Sequence, residues 1–170
     1  MKKLLLLIVI VAGATFSASA QSSSSETGKF SVGAEVGLPL GKAKEAYNLV
    51  VGGSLKYEHP IATGTFVTIS AGYNAFLTKS EYKDLGLKSS IGWVPVKAGL
   101  KYYFDGVGFF GEAQLGAAFS TETGGGTAFA YSPGVGYSFD GGFEAGLRYE
   151  AYSKSGSSTQ QLGLRLAYRF

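Results

Sequence analysis

Eight times along this chain, apolar residues alternate with polar or small ones at period 2, and after residue 20 no comparable stretch carries a helical period. Period-2 alternation puts successive side chains on opposite faces of a strand, so each stretch reads as a β-strand with one apolar face. The last of them, LGLRLAYRF, sets Leu162, Leu164, Leu166, Tyr168 and Phe170 against Gly163, Arg165, Ala167 and Arg169, and it runs to the final residue. The seven before it are FSVGAEVGL, NLVVGGSLKYE, TFVTISAGYNAFL, IGWVPVKAGLKYYF, GFFGEAQLGAAFS, AFAYSPGVGYSF and FEAGLRYEAY. The spacing therefore predicts an all-β, eight-stranded antiparallel up-and-down sheet over residues 30–170.

Connections add a second signal. Asp105-Gly106 and Asp140-Gly141-Gly142 are tight hairpin turns, and His59 to Gly64 is a somewhat longer turn. The other four connections, GKAKEAY, TKSEYKDLGLKSS, TETGGGT and SKSGSSTQ, read as longer polar loops. Short and long connections thus fall at opposite ends of the sheet, as in an outer-membrane barrel with short turns inside and long loops outside. Pro95 and Pro133 lie within strands 4 and 6, where each removes a ladder donor; bulges or ladder breaks are expected there.

The two faces decide which solvent surrounds the sheet. The apolar face carries bulky Leu, Val, Phe and Tyr on every strand, whereas the other is dominated by Gly, Ala and Ser with widely spaced charges. An eight-stranded barrel has an interior just wide enough to be filled by side chains, so eight bulky faces would crowd it. Turned outward, the same faces meet lipid, and small residues with a few charges fill the lumen. Tyr57, Tyr102, Phe104, Phe139, Phe143, Tyr168 and Phe170 sit near strand ends, as an interfacial aromatic girdle requires. Lipid leaves backbone groups no partner, so the sheet must close, strand 8 against strand 1. The reading is a transmembrane β-barrel in the outer membrane of a Gram-negative-type cell, with outer-membrane lipid as its first partner.

The N-terminus agrees with export. Lys2 and Lys3 precede the apolar LLLLIVIVAGA, and Ala18, Ser19 and Ala20 fit a cleavage site, predicting a signal peptide over 1–20 and a mature start at Gln21. The alternative is a membrane anchor that stays attached, for which the apolar run is short. Residues 21–29, QSSSSETGK, read as a flexible polar leader. The chain has no Cys, which excludes both disulfides and a cysteine-linked lipid anchor. The formal charge of +3 includes Lys2 and Lys3, leaving +1 without any basic run, so nucleic acid is not an expected partner.

These features resemble the small eight-stranded outer-membrane barrel family, of the OmpA and OmpX type, over residues 30–170. The resemblance implies that Tyr168 and the terminal Phe170 act as a signal read by the outer-membrane barrel assembly machinery. With the chain ending at strand 8, no periplasmic peptidoglycan-binding domain is expected. Some barrels of this kind modify lipid A with the help of a histidine, but the only histidine, His59, falls at the turn end. No Ser–His–acid group can then form at the outer rim, and the chain is read as no enzyme. No Cys/His/Asp cluster has metal spacing, and Gly124–Gly126 is not followed by a helix as a phosphate cradle would be; no cofactor is expected.

Charge on the inward face is the remaining chemistry. Glu35, Lys56, Glu58, Lys97, Lys101, Glu112, Glu144, Arg148, Glu150, Arg165 and Arg169 all point to the lumen by parity. Glu35, Glu112, Arg148 and Arg165 fall at roughly one height, predicting a central Glu–Arg network that plugs the barrel, with Glu144–Arg169 as a lower pair. Two function classes stay open: a structural or surface-interaction barrel with a plugged lumen, and a narrow porin-like channel for small solutes or ions. For an extracellular ligand the longest candidate is loop 78–90, with Lys79, Glu81, Tyr82, Lys83, Asp84 and Lys88.

Overall fold

A computed structural model describes residues 28–83, 88–104 and 108–170. The predicted signal peptide, residues 21–27 of the leader, Asp84 with the Lys83 side chain, and the Asp105-Gly106 turn lie outside the described residues. The strands are β1 (Lys29–Leu40), β2 (Tyr47–Ala62), β3 (Thr65–Thr78), β4 (Ser90–Tyr103), β5 (Phe109–Ser120), β6 (Thr127–Ser138), β7 (Phe143–Lys154) and β8 (Ser157–Arg169). Each pairs antiparallel with its sequence neighbour, and β8 returns to β1, closing the barrel. Single-turn helices α1 (Ala43–Ala46) and α2 (Ser80–Lys83) lie in two of the connections at the loop end.

Register fixes the shape. From Phe30 the pairing runs through Tyr57, Ile69, Ala98, Leu115, Tyr131, Ala151 and Gln160 to Leu40, so one circuit advances from residue 30 to residue 40 of β1. A stagger of that size over eight strands tilts them by about 40° and gives a backbone cylinder roughly 8 Å in radius. The outward apolar rows, about ten residues deep, then make a belt about 25 Å tall, the height of an outer-membrane hydrocarbon layer. Leu55, Ile69, Leu100, Leu115, Phe129 and Leu166 are exposed on it, while Lys56, Ser70, Lys101, Gln114, Ala130 and Arg165 beside them in sequence are buried. Apolar outside and charged inside is the reverse of a water-soluble barrel.

Ring pairs cluster at the turn end: Phe143 with Tyr168, Tyr137 with Phe139, Tyr102 with Phe104, and Phe30 with both Tyr57 and Phe170. The terminal residue stays in the ladder, since the Phe170 N–H donates to the Phe30 carbonyl at 2.9 Å and the Phe30 N–H donates to the Phe170 carbonyl at 3.2 Å.

Both prolines interrupt one ladder each. Pairing of β3 with β4 skips from Ala71–Val96 to Asn74–Trp93, and pairing of β6 with β7 skips from Tyr131–Ala151 to Gly134–Arg148. The partner strand on the other side pairs through Pro95 and Pro133 without a gap. Register is the same before and after each gap, so these are missing ladder rungs and not bulges.

Two connections differ from the expectation. SKSGSSTQ is no long loop: β7 and β8 continue to a two-residue turn, Ser155-Gly156, with φ of 49° and 78°. Both angles are left-handed, as a type I′ hairpin requires. Likewise β2 runs on through His59, Pro60 and Ile61, and the turn tightens to Thr63-Gly64, with φ of 68° at Gly64.

The lumen as candidate functional site

The lumen is built from the inward row of each strand, and the tilt brings side chains distant in sequence to one height. At the turn end, Lys56 reaches Glu58, Glu112 and Glu144 at 3.0, 3.2 and 3.0 Å. Lys101 pairs with Glu58 at 2.9 Å and also with Glu144. Its ammonium lies 3.9 Å from the centre of the Phe110 ring, so an aromatic face shares in holding a buried charge. A Cβ on Gly136 would come within 2.4 Å of the Phe110 ring and 2.6 Å of a backbone carbonyl; glycine leaves the room that Phe110 occupies.

Higher up, Glu150 is wholly buried and surrounded by donors. Lys97 pairs with it, Arg148 reaches it at 3.3 Å, and the Gln161 amide donates to it at 3.1 Å. Arg148 also pairs with Glu35. Arg165 joins the two levels: its guanidinium lies 3.7 Å from Glu35 and 3.5 Å from Glu144, and donates to Ser54 and Ser31 at 2.9 and 3.1 Å. Charges removed from water need this degree of pairing.

The structure therefore brings together Glu35, Arg148, Arg165, Glu144 and Glu150. Glu112 joins through Lys56, with Gln114 donating to it at 3.2 Å. The expected Glu144–Arg169 pair does not form. Glu144 is occupied by Lys56 and Lys101, while Arg169 donates to the Tyr103 hydroxyl at 2.5 Å and stands 3.9 Å from Glu58. Tyr103 and Ser138, 2.9 Å apart, fill the space between Arg169 and Glu144. The Glu–Arg expectation passed over Lys56, Lys97 and Lys101, although parity had placed all three inward.

A second inward layer is apolar. Val50, Phe76, Trp93, Ala118, Ala128, Ala130 and Tyr152 form a buried cluster at the loop end, with Tyr47 and Ile91 packed against it. The Tyr152 ring lies 5.3 Å from Trp93 and 6.3 Å from Phe76, and the Tyr152 hydroxyl meets the Asn74 amide at 2.7 Å at the boundary with the charged layer. Among the described residues, Glu58 Oε2 and Trp93 Nε1 are the buried side-chain polar atoms without a hydrogen-bond partner.

At the rim, contacts tie loop to loop. The Lys79 N–H donates to the Ala46 carbonyl at 3.0 Å, Thr78 holds the Lys88 carbonyl at 2.7 Å, Lys88 pairs with Glu122, and Lys154 donates to the Gly125 carbonyl at 2.5 Å. His59 is far from this rim, on the outer face at the turn end, with Nδ1 3.3 Å from the Tyr57 hydroxyl. No group of three or more His, Cys, Asp or Glu able to hold a metal occurs among the described residues.

Closure, an outward apolar belt and a charged, filled interior define the class: an eight-stranded transmembrane barrel. A family model for the outer membrane protein beta-barrel domain matches residues 8–170, and the chain belongs to that family and to the cell outer membrane. The outer membrane enzyme PagL is similar in structure, with 19% identity and a TM-score of 0.61 over 81% of this chain and 98% of that one. Yersinia pestis Ail in a phospholipid bilayer nanodisc shows 17% identity and a TM-score of 0.57 over 84% and 99%. Ail in complex with the heparin analogue sucrose octasulfate shows 18% and 0.55 over 85% and 99%. At these identities the likeness is one of fold. Among curated proteins none matches.

Proposed function

We propose that this is a closed barrel whose role is structural or is exercised at its outer loop rim, and that it is not a catalyst. The observation that carries the reading is the filled lumen: ion pairs occupy it from the turn end to mid-height, and the apolar cluster occupies the loop end. The fold family includes PagL, an enzyme, but here the histidine lies on the outer face at the turn end, bonded to Tyr57. In planar bilayers the protein is expected to show no steady conductance. A defined single-channel step would favour the narrow-channel reading, for which the support is residual exposure of Glu112, Arg148 and Arg169 and a void of about 20 Å³ beside Glu112, Arg148 and Arg165, room for about one water.

At the rim, Lys42, Lys44 and Lys88 are exposed on loops and Lys154 at the end of β7, all on segments braced against one another, a geometry that spares a ligand the cost of ordering them. The Ail complex makes a sulfated sugar the probe to try. Retention on sulfated resin that falls with added salt and with Lys42→Gln plus Lys44→Gln is expected; equal retention of that variant would remove these lysines from the reading. Tyr168 and Phe170 are assigned the assembly signal, on the support of their exposure on the outward aromatic row at the turn end. The assembly machinery and outer-membrane lipid are the partners this implies.

A further inference from the structure

The lumen has two chemistries in series, and they resist an ion differently. In the charged layer the side chains are long, and Glu112, Arg148 and Arg169 keep 15 to 17% of their side-chain surface exposed. Their carboxylates have several alternative cations: Glu144 touches Lys56, Lys101 and Arg165, and Glu150 touches Lys97 and Arg148. A hydrated ion entering there exchanges one polar partner for another.

The loop-end layer offers no such exchange. Phe76 and Ala130 are completely buried, Val50 and Tyr152 almost so, and the rings of Tyr152, Phe76 and Trp93 meet across the lumen. An ion here loses its hydration without gaining a partner, and an apolar constriction of this kind also expels water. The charged layer below and this layer above are separated by one row of amides: Gln161 donates downward to Glu150 at 3.1 Å, and the Asn74 amide meets the Tyr152 hydroxyl at 2.7 Å.

We propose that the apolar layer, centred on Phe76, Trp93, Tyr152 and Val50, is the seal that stops water and ions crossing the barrel, and that the ion-pair network below it is wetted only from the turn end. The proposal rests on the closed-lumen reading and assigns the residues that close it. The seal carries its own reporter, because Trp93 is the chain's single tryptophan and its N–H has no protein acceptor. Whether water reaches the layer therefore sets the emission of that one indole.

The test uses the protein inserted in lipid vesicles and in planar bilayers, with folding checked by heat-modifiable gel migration. For the unaltered chain, blue-shifted Trp93 emission that aqueous iodide fails to quench is expected; quenching like that of free indole overturns the proposal without any variant being made. Val50→Ser with Phe76→Ser is expected to gain iodide quenching and a steady conductance, while Arg148→Gln remains silent. A folded Val50→Ser with Phe76→Ser variant that stays silent, or an Arg148→Gln barrel that conducts with Trp93 still unquenched, overturns the assignment but leaves the closed-lumen reading standing. Conductance in the unaltered chain overturns both.

Discussion

At the scale of single residues, Glu150 shows what holds the interior. It is completely buried, with Lys97, Arg148 and Gln161 directed at it from three strands. Removing it strands the Lys97 ammonium in a low-dielectric site, while Arg148 keeps Glu35, and the loss from breaking a buried pair exceeds the net worth of the pair. Glu150→Ala is expected to cost about 3–5 kcal/mol in denaturant unfolding from vesicles. The contrast is Lys88, whose pair with Glu122 is at the rim with 68% of the lysine side chain exposed. Water and salt screen that pair, so Lys88→Ala is expected to cost no more than about 1 kcal/mol. Equal losses at the two sites would show that the lumen is as wet as the surface. The sequence places Glu150 on the inward face, because parity alone decides that. It does not show that Lys97 is its partner, since that pairing depends on how far the sheet shears as it closes.

At the scale of elements, the strands were legible wherever one face meets lipid and the other the lumen, because the two solvents force the alternation. Beyond the apolar belt both faces meet water and the pattern lapses. That is why the polar run SKSGSSTQ reads as a loop although β7 and β8 continue through most of it to Ser155-Gly156. His59 and Pro60 hid the end of β2 for the same reason. The prolines, by contrast, were legible as ladder breaks, since a missing N–H needs no tertiary information. At Pro133 the gap falls on the β7 side alone, with β5 paired normally. Pro133→Ala restores a donor in a setting with no water to compensate, and a gain of about 0.5–1.5 kcal/mol is expected with slower amide exchange across the β6–β7 seam. No change in that exchange would mean that the seam is opened by something other than the missing donor.

At the scale of the whole molecule, one quantity governs the rest: the advance from Phe30 to Leu40 in one circuit of the register. It sets the tilt, the radius and which charges share a height. The inside-out order of faces was readable from bulk and charge alone, and Val50, Phe76, Trp93 and Tyr152 could have been recognised as an inward apolar layer by the same parity. The sequence does not set them apart, because apolar residues on the lumen side carry no contrast against the apolar row beside them. The central claim is that the bulky apolar row faces lipid, and Leu115, midway along β5 and exposed on that face, tests it most directly. Equilibrium unfolding of Leu115→Arg from lipid vesicles is expected to show a loss of about 2–4 kcal/mol, the cost of an arginine at the bilayer midplane. An unchanged or increased stability would mean that Leu115 does not face hydrocarbon, and would contradict the barrel's orientation of faces.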